Sequence, residues 1–140
     1  VDAIRIVIAD PNPVDRLELT RTLNRLGHDV VGESANGDDL SDLCRATQPD
    51  LIITETSEKG WDGLGTLRRV QEESMIPAIV VSRQATKPMI DRAASHYVFG
   101  YLTKPIREEE LTASLVVAIN RAREGHPMSR TSEEVCRWFG

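Results

Sequence analysis

Five short apolar runs rich in β-branched residues recur along this chain, at residues 4–9, 29–33, 51–54, 78–81 and 98–102. Runs such as IRIVIA and AIVVS carry apolar residues on both faces, as strands covered on both sides require. Helical patterns fill the intervals. Residues 13–26 set Leu19, Leu23 and Leu26 on one face, with Asn12 as N-cap, Pro13 at the first helical position and Gly27 as the stop. Further helices are predicted at 38–47 (Leu40, Leu43, Cys44), 63–73 (Leu64, Leu67, Val70), 88–95 (Met89, Ile90, Ala93) and 108–123 (Leu111, Leu115, Ala118, Ile119, Ala122). Strand and helix in strict alternation predict a parallel sheet with right-handed crossovers. The fold class is therefore α/β, a doubly wound five-stranded parallel sheet with helices on both faces. Ligands of such sheets bind at the carboxyl ends of the strands, where the strand order reverses.

At 140 residues the chain has room for one domain and little more. A core domain over residues 1–123 is expected, followed by a linker and short helix over 124–140 that opens with a Thr131–Ser132–Glu133–Glu134 capping box and carries Val135, Trp138 and Phe139 on one face. A formal charge of −5 with interspersed signs and no basic stripe argues against direct binding of nucleic acid. No apolar run approaches the roughly 18 residues that cross a bilayer, and Val1 begins no signal-peptide pattern, so a cytoplasmic protein is expected. Cys44 and Cys136 lack metal-ligand spacing, and Cys44 reads as a buried free thiol. His28, His96 and His126 have no carboxylate or cysteine at ligand spacing and read as loop or surface residues.

The strand ends carry Ala9–Asp10, Glu55, Ser82 and Lys104–Pro105, and a parallel sheet gathers these at one edge. With PDLIITE, a DG eight residues beyond Glu55, IPAIVVS and GYLTKP, the chain from residue 4 to residue 123 resembles the receiver domain of bacterial two-component response regulators. The resemblance implies a flavodoxin-like (βα)5 fold. It also implies a phosphoacceptor at the end of the third strand, where the family has Asp and this chain has Glu55. A hydroxyl residue after the fourth strand matches Ser82, the lysine that contacts acceptor or phosphate matches Lys104, and the aromatic that reorients on activation matches Tyr101.

Two departures stand out. Of the two acids that hold magnesium in the family, the first position is Ala9 and only Asp10 remains, so the implied Mg2+ site is weak or absent. Magnesium takes near-octahedral oxygen coordination, and in-line phosphoryl transfer depends on that metal and on close placement of the nucleophile. The Glu55 carboxylate lies one methylene further out, within reach of Lys104 or Ser82, where a phosphate oxygen would lie. The favoured expectation is a pseudo-receiver with no catalysis of its own and no required cofactor, acting by protein–protein contact. Within it, two variants stand: Glu55 locks the switch by imitating the modified state, or Glu55 and Lys104 merely form a structural salt bridge worth about 0–1 kcal/mol. The alternative is a receiver still phosphorylated by a histidine kinase, at Glu55 or Asp62, and controlling an output domain outside the chain. Asp62 itself reads as the N-cap before Gly63.

Glu58–Lys59 stand where the family has Met-Pro or a similar pair, so the loop after the third strand is expected to differ in shape. Trp61 within it either covers the pocket or meets a partner. GWDGLG lacks the order of a dinucleotide fingerprint. GYLTKPI followed by LTASLVVAINRARE is similar to receivers that precede RNA-binding antiterminator modules, although no such module lies in these residues. The resemblance further implies a homodimer or docking surface made by the fourth helix, fifth strand and fifth helix.

Overall fold

The computed structural model describes residues 2–58 and 61–124. The expected alternation is present: β1 (Arg5–Ala9), α1 (Pro13–Arg25), β2 (Asp29–Ser34), α2 (Leu40–Thr47) and β3 (Leu51–Glu55) come first. A two-stranded hairpin of β4 (Ser57–Glu58) and β5 (Trp61–Asp62) intervenes. Then follow α3 (Gly63–Glu73), β6 (Ala78–Ser82), α4 (Lys87–Ala94), β7 (Val98–Thr103) and α5 (Glu108–Glu124). The five long strands form one sheet in the order β2-β1-β3-β6-β7, and every pairing in it is parallel. The expected linker and short helix over 124–140, with Cys136 and His126, lie outside the described residues apart from Glu124.

Both faces of the sheet are covered because alternate residues of each strand point to opposite sides. Ile6, Ile8, Leu51, Ile53, Ile79 and Val81 pack with Leu19 and Leu23 of α1 and Leu111, Leu115 and Ile119 of α5. Val7, Ala9, Ile52, Ala78 and Val80 pack with Leu40 and Cys44 of α2, Leu64, Leu67 and Val70 of α3, and Ala93 of α4. Cys44 is buried as expected, and that burial pushes its thiol up to about 11, leaving it protonated near neutral pH.

Local signals explain the helix ends. The Asn12 side chain accepts from the amides of Val14 and Asp15 at 3.0 and 3.1 Å, capping α1. Gly27 ends it with φ +92, a left-handed conformation that glycine adopts without strain. Asp62 caps α3 by accepting from Gly65 N–H at 3.0 Å, which matches its expected role. One expectation shifts, while His28 keeps its expected place in a turn. The short fourth helix has only Ala93 buried and Met89 half-buried, and Ile90 is 41% exposed, because an eight-residue helix turns little of its surface to the core. His28 is half-buried in the α1–β2 turn, where Nδ1 accepts from Ile4 N–H at 3.1 Å, and burial holds its pKa below the ordinary value.

The loop after β3 forms a short hairpin, which pairs Ser57 with Asp62 and Glu58 with Trp61. Trp61 is half-buried and packs on the α2–α3 side of the core, beside Gly37 of the β2–α2 turn. Gly37 has φ +80, and a Cβ there would strike the indole of Trp61. Trp61 therefore acts as a packing residue between two loops, and it does not line the cleft at the strand ends.

Candidate functional site

β2, β3, β6 and β7 run one residue further than their apolar runs suggest, so Glu55 and Ser82 are the last residues of β3 and β6, while Asp10 and Lys104 are the first beyond β1 and β7. Parallel register aligns these ends: Ala9 lies opposite Thr54, Glu55 opposite Val81, and Ser82 opposite Thr103. The Lys104–Pro105 peptide bond is cis.

Lys104 stands at the centre. Its ammonium lies 2.8 Å from Asp10 Oδ2, 2.7 Å from Glu55 Oε2 and 2.9 Å from Asp15 Oδ2, so all three N–H donors have a carboxylate partner. The side chain is 6% exposed, and those of Asp10 and Glu55 are 2% exposed. Burial alone pulls the Lys104 ammonium down, but hydrogen bonds to Asp10, Glu55 and Asp15 outweigh it and hold the group above its ordinary value. The remaining carboxylate oxygens are also occupied in part. Asp10 Oδ1 accepts from Asn12 N–H at 2.9 Å, and Glu55 Oε1 accepts from Thr56 N–H at 2.9 Å and Thr56 Oγ1 at 3.2 Å.

Of the two partners within expected reach of Glu55, its carboxylate meets Lys104. The strand pleat accounts for this: Glu55 follows Ile53, and Lys104 follows Leu102, on the α1–α5 side of the sheet, whereas Ser82 follows Val80 on the other side. Ser82 Oγ accepts instead from Gln84 N–H at 3.2 Å. Tyr101 is half-buried, and its hydroxyl donates to the Gln84 carbonyl at 2.7 Å, so Ser82 and Tyr101 grip the two sides of one residue.

Beside this cluster a cleft of about 490 Å³ opens between α1 and the β7–α5 turn, with Asp15, Glu18, Lys104 and Arg83 on its walls and Leu19 and Ile106 among its apolar lining. Asp15 and Arg83 were not singled out from the sequence. Asp15 lies in the first turn of α1, where an acid is expected merely to complement the helix dipole, so only its distance to Lys104 reveals it. Arg83 donates to Asp15 Oδ2 at 2.8 Å. Arg16 donates to the Asp10 carbonyl at 2.6 Å and pairs with Glu33 at 3.4 Å.

A sheet of order 2-1-3-6-7 with a lysine and carboxylates converging at its carboxyl edge is the arrangement that the motifs imply, and a family model described as the response regulator receiver domain matches residues 6–116. The chain belongs to the response regulator receiver family. PilH of Pseudomonas aeruginosa is 31% identical to this receiver over 114 residues, which cover 79% of the receiver and 93% of PilH. The transcriptional regulatory protein PdtaR of Mycobacterium tuberculosis is 26% identical over 120 residues, 86% of this receiver but 58% of PdtaR, so the chain spans little more than half of that relative. Among solved structures, the signal receiver domain of a modulated diguanylate cyclase from Desulfovibrio desulfuricans G20 matches with a TM-score of 0.79 at 25% identity, covering 87% of this receiver and 98% of that chain. Receivers are signalling modules of two-component systems that engage kinases or output domains. Among the described residues of this one, no helix is long and apolar enough to cross a membrane.

The residues present do not fit the magnesium that the family implies. Asp10 and Glu55 each commit an oxygen to Lys104, and Ala9 before them is fully buried in the core on the opposite face of the sheet, away from these carboxylates. Among the described residues no group of three His, Cys, Asp or Glu is arranged to hold a metal ion.

Proposed function

We propose that this receiver is a pseudo-receiver, which keeps the fold and signalling surface of its family and acts by protein–protein contact independent of phosphorylation. The observation that carries the reading is the saturation of Lys104: each of its three donors is held by a carboxylate of the chain itself, leaving none for an incoming phosphoryl oxygen. No cofactor is required for this role, and the domain has no catalysis of its own. Ser82 and Tyr101 remain the switch positions, Lys104 the contact to the acceptor position, and Glu55 the residue standing at that position. The saturated state favours Glu55 as a lock over Glu55 as a bystander, because its carboxylate is buried and aimed at the lysine.

Partners follow from the surface. Ile90 of α4 and Val117 of α5 are 41% and 46% exposed, which supports the α4–β7–α5 face as a dimerisation or output-docking surface. The net charge of −5 supports protein over nucleic-acid partners. A second reading, a receiver phosphorylated by a histidine kinase and driving an output module such as an RNA-binding antiterminator, is favoured by one observation: the match to PdtaR, a transcriptional regulatory protein, covers 58% of that regulator's length.

The two readings separate on incubation with magnesium and acetyl phosphate followed by intact-mass measurement. The unaltered chain is expected to gain no stoichiometric adduct, and an adduct would overturn the pseudo-receiver reading. Glu55→Asp alone is expected to remain a poor acceptor, because Asp10 and Asp15 still hold Lys104. Full rescue by this single change would show that the hold on Lys104 does not block transfer.

A further inference from the structure

We propose that Asp15 of α1 is a built-in anion that holds the β6–α4 segment against Lys104, and that Asp15, not Glu55, sets the position of Tyr101. This goes beyond the pseudo-receiver reading and does not depend on it, because the contact exists whether or not Glu55 accepts phosphate.

One oxygen of Asp15, Oδ2, accepts from Lys104 at 2.9 Å and from Arg83 at 2.8 Å. Two cations thus share one carboxylate oxygen. Without its negative charge they would face each other as like charges in a site where Lys104 is 6% and Asp15 20% exposed. Arg83 is the first residue beyond β6, and the next residue, Gln84, is the one gripped by Ser82 through its N–H and by Tyr101 through its carbonyl. A continuous set of bonds therefore runs from Lys104 through Asp15 to Arg83, along one peptide unit to Gln84, and on to Tyr101. Among the bonds of the described residues, Glu55 reaches Lys104 and Thr56 and makes none to residues 83–86. The segment is otherwise lightly held: Arg83, Gln84, Ala85 and Thr86 are all exposed, which places it among the parts of a fold that open most readily. Asp15 is the side chain of α1 that restrains it, which makes α1 and the switch segment mechanically one unit.

Hydrogen exchange on the full chain tests this, reading the amides of residues 83–86 alongside the Tyr101 ring signals by NMR. In Asp15→Asn the 83–86 amides are expected to exchange about threefold faster or more, the scale of a partly exposed ion pair, and the Tyr101 signals to shift. Arg83→Gln removes the same contact from its exposed end and is expected to reproduce both changes, while Glu55→Gln leaves both within the measurement error. Unchanged exchange in both Asp15→Asn and Arg83→Gln would overturn the proposal, as would an equal response in Glu55→Gln. If circular dichroism shows Asp15→Asn unfolded, Arg83→Gln decides alone. A phosphate adduct in the acetyl phosphate experiment would leave this result untouched, so the two readings fail separately.

Discussion

Lys104→Met is expected to cost about 3–5 kcal/mol of folding stability near neutral pH, the scale of breaking a buried ion pair from one side. The substitution nearly preserves volume, so the loss isolates charge. Asp10 and Glu55 would be left 2% exposed with no cation between them, and Asp15 would keep only Arg83. Urea unfolding followed by circular dichroism measures it as a drop in midpoint at constant slope. The control is Lys87→Met. Lys87 pairs with Asp91 at 2.7 Å, a distance as short as any at Lys104, but the two side chains are 85% and 63% exposed, and its loss should cost less than about 1 kcal/mol. Burial, not distance, decides between the two. The pH dependence has a definite sign. Lys104 has a folded pKa above its ordinary 10.5, so its contribution is complete below that pH and is lost only as pH rises further toward the folded value. A stability difference between the parent and Lys104→Met that shrank between pH 7 and pH 9 would contradict the arrangement.

Gly63→Ala is the second large effect, expected at about 3 kcal/mol or more, at the upper end of what overpacking costs. Gly63 opens α3, and its N–H donates to the Thr56 carbonyl at 2.6 Å. A Cβ there would enter the backbone carbonyls of Glu55 and Thr56, which are strand-end atoms and cannot swing aside as a long side chain does. The strain would act on the peptide that carries Glu55 itself. The same denaturation experiment reads the stability, and the Glu55–Lys104 contact should loosen with it, seen as faster exchange at the Thr56 amide. Gly65→Ala offers the contrast, since its Cβ would meet only the Asp62 carboxylate.

The large elements were legible because each rests on a repeated signal. Two-sided burial wrote continuous apolar runs into β1, β3 and β6, and capping residues marked both ends of α1. The β4–β5 hairpin was not legible, since strands of two residues are too short to carry any periodicity. Ile90 was misplaced because α4 is eight residues long, and over two turns an apolar residue on the solvent side looks like part of the buried row. At the site, Asp10, Glu55, Ser82 and Lys104 declared themselves through strand-end position, and Tyr101 through the family resemblance alone. Asp15 did not, because its role arises from the approach of α1 to Lys104, and Arg83 followed Ser82 with no pattern to separate it from any exposed arginine.

The meeting of Trp61 with Gly37 bears on how such a chain can vary over time. The indole lies where a side chain at position 37 would begin, and the backbone there is left-handed as well, so the two sites are not independent. A lineage can acquire tryptophan at 61 only on a background that already has glycine at 37, and afterwards the glycine is no longer free to change. The seam between these two loops thereby imposes an order on substitution, and the left-handed backbone at 37 holds the glycine in place even apart from the indole.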